Sequence, residues 1–157
     1  MGKKRQQTRP SGGDLRVTFH PATHPDPPVS PTETDLAGKT HRERVQVARR
    51  FQEWAETQSF TEAYLQQLQE APTAPKSGDV WGKPQYVVST PEVGTLYHVE
   101  LQLDEAGTGY HYWFGIPADA RKVVLLHVFA DNPLKRLLGT SAPQRKAIRR
   151  WTKLKSA

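Results

Sequence analysis

Three histidines and a glutamate carry the chemistry this chain could perform. His98 and Glu100 sit two apart in an alternating segment, LYHVELQL. His111 lies in an aromatic segment, YHYWFGI, and His127 in an apolar one, RKVVLLHVF. Imidazole exchanges its proton near neutral pH, so histidine serves as general acid or general base. The planar fork of arginine matches two phosphate oxygens, and Arg121 and Lys122 open the segment that contains His127. Together these residue types can move protons beside a phosphate held by cations.

The spacing predicts the elements that must position them. Over 96–103, Tyr97, Val99, Leu101 and Leu103 share one face of a strand and Leu96, His98, Glu100 and Gln102 the other. DEAGTG at 104–109 supplies turn chemistry. Over 110–116, Tyr110, Tyr112, Phe114 and Ile116 oppose His111 and Trp113, which gives Tyr112 a core role and turns Trp113 to the histidine side. The segment 122–129 is apolar on both faces, as in a central strand, so alternation does not place His127. If its register agrees, the three histidines and Glu100 share one surface. A single histidine is more often a structural group than a catalyst; the three together are the stronger signal.

Upstream, residues 1–13 are basic and polar and are expected to be a disordered tail, with 14–157 as a single domain. Residues 14–20 alternate like a half-buried strand, and a loop rich in proline fills 21–33. A helical pattern takes over from about Thr34, with Val47, Ala48, Phe51, Trp54 and Ala55 on one face. A second helix is expected from Ser59, where Ser59 and Glu62 have capping-box spacing. Tyr86 to Ser89 could add a short edge strand. The last helix starts near Ser141, with Ser141 and Gln144 as a second capping box. It sets Ala147, Ile148, Trp151 and Leu154 against Arg145, Lys146, Arg149, Arg150, Lys153 and Lys155. The order β-α-α-β-β-β-α predicts an α+β fold: a small antiparallel twisted sheet, a helix pair on one face, a basic C-terminal helix, and the other face free to work.

A net charge of +6 favours a polyanionic partner. The chain has no cysteine, which excludes disulfides, thiolate metal sites and a cysteine nucleophile. No apolar run approaches the ~20 residues of a membrane span, and the charged start MGKKRQQTRP has no apolar region after it. A cytoplasmic protein without a membrane partner is expected.

The segment from Leu96 to Trp151 resembles the HigB branch, related to the phage Gp49 proteins, of the RelE/ParE toxin superfamily. The resemblance rests on Val99-Glu100-Leu101, on Tyr110-His111-Tyr112, on Leu125-Leu126-His127-Val128-Phe129, and on a final helix with Ala147 and Arg150. Leu125 to Phe129 is its most specific part. Gln102 stands where the family often has arginine, and His111 replaces an arginine. Asp131 and Asn132 occupy the place of paired lysines, while Lys135 and Arg136 come a few residues later.

The resemblance implies a RelE-like fold and a toxin that cleaves mRNA on the ribosome, is neutralised by an antitoxin protein, and uses no metal or cofactor. In that chemistry the 2′-OH attacks the neighbouring phosphate. His127 and His111 would transfer protons, and Arg121 would hold the scissile phosphate. His98 and Glu100 would orient them. Lys122, Arg145, Arg149, Arg150, Lys135 and Arg136 would contact the RNA, with Trp113 stacking on a base. Three histidines and Glu100 could also bind zinc, but they come from separate strands without a local ligand spacing, and no metal is expected. Two rivals predict different outcomes. A non-catalytic RNA-binding module gives salt-sensitive binding without cleavage. A ParE-like toxin acting on a non-ribosomal protein arrests growth with mRNA intact.

Overall fold

In the computed structural model the described residues are 16–26, 34–58, 60–70, 82–90, 93–103, 109–117, 122–130 and 141–156. The strands are β1 (Arg16–Phe19), β2 (Gln85–Thr90), β3 (Gly94–Gln102), β4 (Gly109–Pro117) and β5 (Lys122–Ala130). The helices are α1 (His41–Thr57), α2 (Glu62–Glu70) and α3 (Ser141–Ser156). The fold is α+β, with one sheet in the order β1-β5-β4-β3-β2. The expected tail at 1–13 lies outside the described residues.

The sheet departs from the expected one in two ways. It is mixed, because β1 runs parallel to β5 while β2 to β5 form an antiparallel meander. The connection through both helices carries the chain from β1 at one edge to β2 at the other, and the three reversals of the meander then bring β5 alongside β1 in the same sense. The sheet also has a fifth strand, because the short 86–89 pattern becomes the full edge strand β2.

Helix boundaries follow caps rather than hydrophobic periodicity. The pattern near Thr34 forms a turn instead of a helix: Gly38 has φ +86, a left-handed conformation natural to glycine that ends any helical run. α1 then starts behind Thr40, whose side chain accepts from the Glu43 N–H while Glu43 accepts from the Thr40 N–H. α2 starts behind Thr61, whose hydroxyl accepts from the Tyr64 N–H at 3.2 Å. Ser59 of the expected capping box lies outside the described residues.

Two apolar layers enclose the sheet. Val47, Phe51, Trp54, Ala55 and Phe60 pack against Tyr97, Val99, Leu101, Tyr112, Phe114, Val123, Leu125 and Val128. Phe51 stacks on Tyr112 at 5.3 Å, and the Tyr112 hydroxyl donates to the Val47 carbonyl. On the opposite face α3 lays Ala147 and Trp151 over Leu96, Trp113, Val124 and Leu126. That face is thus not free along its whole length, because the apolar stripe of α3 needs a surface to bury.

β5 does not alternate throughout. Val123 and Leu125 join the α1 side, and strict alternation would send His127 there too. Instead the β4–β5 register shifts: Phe114 pairs with Leu125, but Trp113 pairs with His127, leaving Leu126 as an extra residue. One inserted residue flips everything beyond it to the other face. His127 therefore joins Trp113 and His111, and Val128 returns to the core.

α3 approaches β4 closely at Gly115, where a Cβ would lie 2.8 Å from three ring atoms of Trp151. Gly115→Ala should therefore destabilise the fold by about 1–3 kcal/mol through overpacking. The check is a urea titration with a lowered midpoint and an unchanged slope.

Candidate functional site

The face of the sheet under α3 gathers two polar constellations. The first centres on Asp35, in the turn before α1. Its side chain is 3 % exposed and receives four donors. His127 Nδ1 lies 2.8 Å from Oδ2, Arg150 donates at 2.7 and 3.0 Å, and the Val128 N–H donates at 3.1 Å. Arg150 also donates to the Leu126 carbonyl at 2.7 Å.

The turn is held in place from below. The Asp35 N–H and the Thr34 hydroxyl both donate to the Ala22 carbonyl. The residues 20–23 are tied to β5 in turn, since the His20 N–H and the Thr23 hydroxyl donate to the Leu125 carbonyl.

This arrangement fixes the state of His127. Burial would raise the Asp35 pKa, but hydrogen bonds from His127 and Arg150 outweigh it and hold the carboxyl below its ordinary value. An ionised carboxylate only accepts, so His127 carries its proton on Nδ1. Burial, opposed by Asp35 and reinforced by Arg150 and Lys146, lowers the His127 pKa. The ring is neutral near pH 7, with a lone pair on Nε2, the form a general base requires.

The second constellation lies across β2, β3 and β4. His98 Nε2 and His111 Nδ1 are 3.0 Å apart, and His98 Nδ1 is 3.1 Å from Gln85 Oε1. With Gln85 as acceptor, His98 donates from Nδ1 and accepts at Nε2 from His111. Glu100 Oε1 lies 3.9 Å from His111 Nδ1. Burial, and then the neighbouring His111, push the His98 pKa down to about 3. Phe129 stands between the constellations, stacked on His111 at 4.7 Å and tilted against His127 at 5.3 Å.

The histidine candidates and Glu100 are thus brought to one face, while two other candidates are committed elsewhere. Arg150 is bound to Asp35, so its guanidinium has a structural partner in place of a phosphate. Trp113 faces the histidines as alternation requires, but it is 3 % exposed and packs against His98 at 4.5 Å. A base cannot stack on it under α3, which corrects the expectation of an open aromatic. Arg145 and Arg149 are exposed, with Lys153 one turn on, forming a cationic stripe. Lys122 is half-buried at the start of β5, in register with Arg16. Arg121, Lys135 and Arg136 lie outside the described residues.

Asp35, Gln85 and His20 are the residues that sequence reasoning missed. Asp35 is 92 positions from His127 and 115 from Arg150, beyond any local spacing rule. Its one visible signal is the turn composition of Thr34 to Gly38. Gln85 would follow from β2 alternation only once that strand and its bulge between Tyr86 and Val88 were known. His20 feels both Arg150 and Asp35, and its pKa is lowered first by burial; its Nδ1 accepts from the Ala22 N–H.

No family model, curated protein or solved structure matches the chain, so its function must be argued from these residues. Among the described residues no helix is long and apolar enough to cross a membrane.

Two outcomes follow from the buried charges. Arg150→Met leaves a buried carboxylate without its cation and should cost about 3–5 kcal/mol, whereas Asp35→Asn combined with Arg150→Met should recover part of that loss. Chemical denaturation of the two variants and the parent measures both. Because His98 and His127 have lowered pKa values, the unfolded chain binds more protons than the folded one below the ordinary histidine value of 6.5. Stability should therefore fall as pH drops from about 6.5 toward about 3, at up to about 1.4 kcal/mol per pH unit for each histidine. Protonation of Asp35 adds to the loss below 3.8. Denaturation midpoints across this range should decline in the parent and decline less steeply in His98→Gln.

Proposed function

We propose that this chain is the toxin of a toxin–antitoxin pair and cleaves mRNA on the ribosome by 2′-OH attack. The observation that carries the proposal is the Asp35–His127 hydrogen bond, which leaves Nε2 of a neutral imidazole as a proton acceptor. His127 takes the 2′-OH proton as the 2′ oxygen attacks phosphorus. His111, whose own Nδ1 proton is held by His98, first takes up a solvent proton on Nε2 and passes that proton to the departing 5′ oxygen, giving a 2′,3′-cyclic phosphate and a 5′-OH end. His111 and His127 keep 10 % and 8 % of their side-chain surface, so the RNA would meet ring edges rather than ring faces.

Cations supply the phosphate contacts. Arg145 and Arg149 on α3 and Lys122 on β5 suit the backbone, and Arg121, Lys135 and Arg136 extend the set. Arg150 holds Asp35, and thereby positions His127. The motif resemblance supports the reading, as does the observed order: a strand, two helices, an antiparallel meander and a closing basic helix. A cytoplasmic location follows from the ribosomal target. The antitoxin is expected to be acidic where it meets α1, whose Arg49 and Arg50 line a hollow with Gln46, Glu53 and Leu103.

A second reading, RNA binding without cleavage, draws on the His98–His111 hydrogen bond, which uses ring nitrogens of both within the sheet. Primer extension on a defined mRNA in a reconstituted translation system separates the two. Codon-spaced cuts that need ribosomes are expected, with His127→Gln reducing cleavage about 10²- to 10⁴-fold. Intact mRNA with salt-sensitive RNA binding would establish the second reading, and intact mRNA with no RNA binding would leave a protein target.

A further inference from the structure

We infer that His98, Glu100 and His111 form a transition-metal site, with zinc the ion their chemistry fits best. Its ligands are His98 Nε2, His111 Nδ1 and a Glu100 carboxyl oxygen, supported by Gln85. The site stands whether or not the chain cleaves RNA.

The sheet supplies the spacing that the sequence lacks. His98 and Glu100 are two apart on β3 and share a face, and His111 on β4 pairs directly with Glu100. Directly paired side chains start about 4.5–5.5 Å apart at Cβ, so the three groups converge. One ligand atom from each lies within 4.8 Å of the others. Zinc–nitrogen bonds of about 2.0–2.1 Å place two tetrahedral nitrogen ligands about 3.3 Å apart. The 3.0 Å between His98 Nε2 and His111 Nδ1 is short of that by a few tenths of an ångström, within the reach of small side-chain rotations.

The donor set selects the ion. Two imidazoles and a carboxylate without thiolate suit zinc and its neighbours more than calcium or magnesium, which prefer all-oxygen sites. Three protein ligands leave a fourth position for water or another ligand.

The surroundings match a metal site in a further respect. A ligating histidine usually donates its second ring N–H to a carbonyl or carboxylate, which fixes the tautomer. Gln85 Oε1, at 3.1 Å from His98 Nδ1, does this for His98 and directs its Nε2 lone pair toward His111. Binding then requires one proton movement: the His111 proton transfers from Nδ1 to Nε2, freeing Nδ1 for the ion. Both residues are buried, so the ligands are preorganised.

The test uses the full, untagged, metal-stripped chain titrated with zinc chloride at neutral pH. Ring-nitrogen NMR follows its six histidines. One equivalent should shift His98 and His111 to saturation and leave His20, His24, His41 and His127 unmoved. By calorimetry, Gln85→Ala and Glu100→Gln, each with an unchanged circular dichroism spectrum, should bind roughly tenfold or more weakly. The proposal is overturned if His98 and His111 do not respond to excess zinc. It is also overturned if the ion goes first to His24 and His41, which flank the exposed Asp26. The parent-chain NMR decides even if a variant fails to fold.

Discussion

A single buried carboxylate organises the histidine face. Asp35 lies away from water, where an ion costs several kcal/mol unless donors replace its hydration. Four donors do so, from β5 and α3, and each comes from an element that must dock correctly to reach it. The charge therefore acts as a condition on the fold. The turn at 34–38, the third strand of the meander and the closing helix must meet, or Asp35 is left unpaired. Hydrophobic burial drives α3 onto the sheet through Trp151 and Ala147, but it is non-directional; the bidentate Arg150 contact gives that docking a direction.

The same carboxylate has a chemical consequence. Because Asp35 can only accept, it settles which nitrogen of His127 bears the proton, and because burial, aided by the positive charge of Arg150, outweighs the pull of Asp35, His127 remains neutral. The bulge at Leu126 is the geometric counterpart. Without the extra residue, His127 would enter the apolar layer beneath α1, where imidazole would need a polar partner among Phe51, Trp54 and their neighbours. One inserted residue and one distant acid thus give an apolar strand a neutral imidazole of fixed tautomer.

Much of the architecture was legible in the sequence because it rests on local periodicity. The alternation of 96–103 and 110–116 places His98, Glu100, His111 and Trp113 on the face where they are found, and the stripe of Ala147 and Trp151 marks the packing side of α3. What failed was non-local. The parallel pairing of β1 with β5 depends on a long crossover that no window of residues reveals. A bulge cannot be seen in a strand such as 122–129, whose apolar residues fit either face. Asp35 reads as an ordinary turn residue until the fold brings His127 and Arg150 to it. Arg150 itself reads as one more cation on a basic helix, since its spacing differs little from that of Arg149. The exposed stripe and the buried anchor separate only when α3 is docked.

The protonation state of His127 tests the central claim most directly. Ring-nitrogen NMR at neutral pH should show a protonated Nδ1 and an unprotonated Nε2, and the ring should take up its second proton only below the ordinary histidine range. An imidazolium at neutral pH, or a proton on Nε2 with a bare Nδ1, would contradict the Asp35 arrangement and remove the basis for His127 as a base.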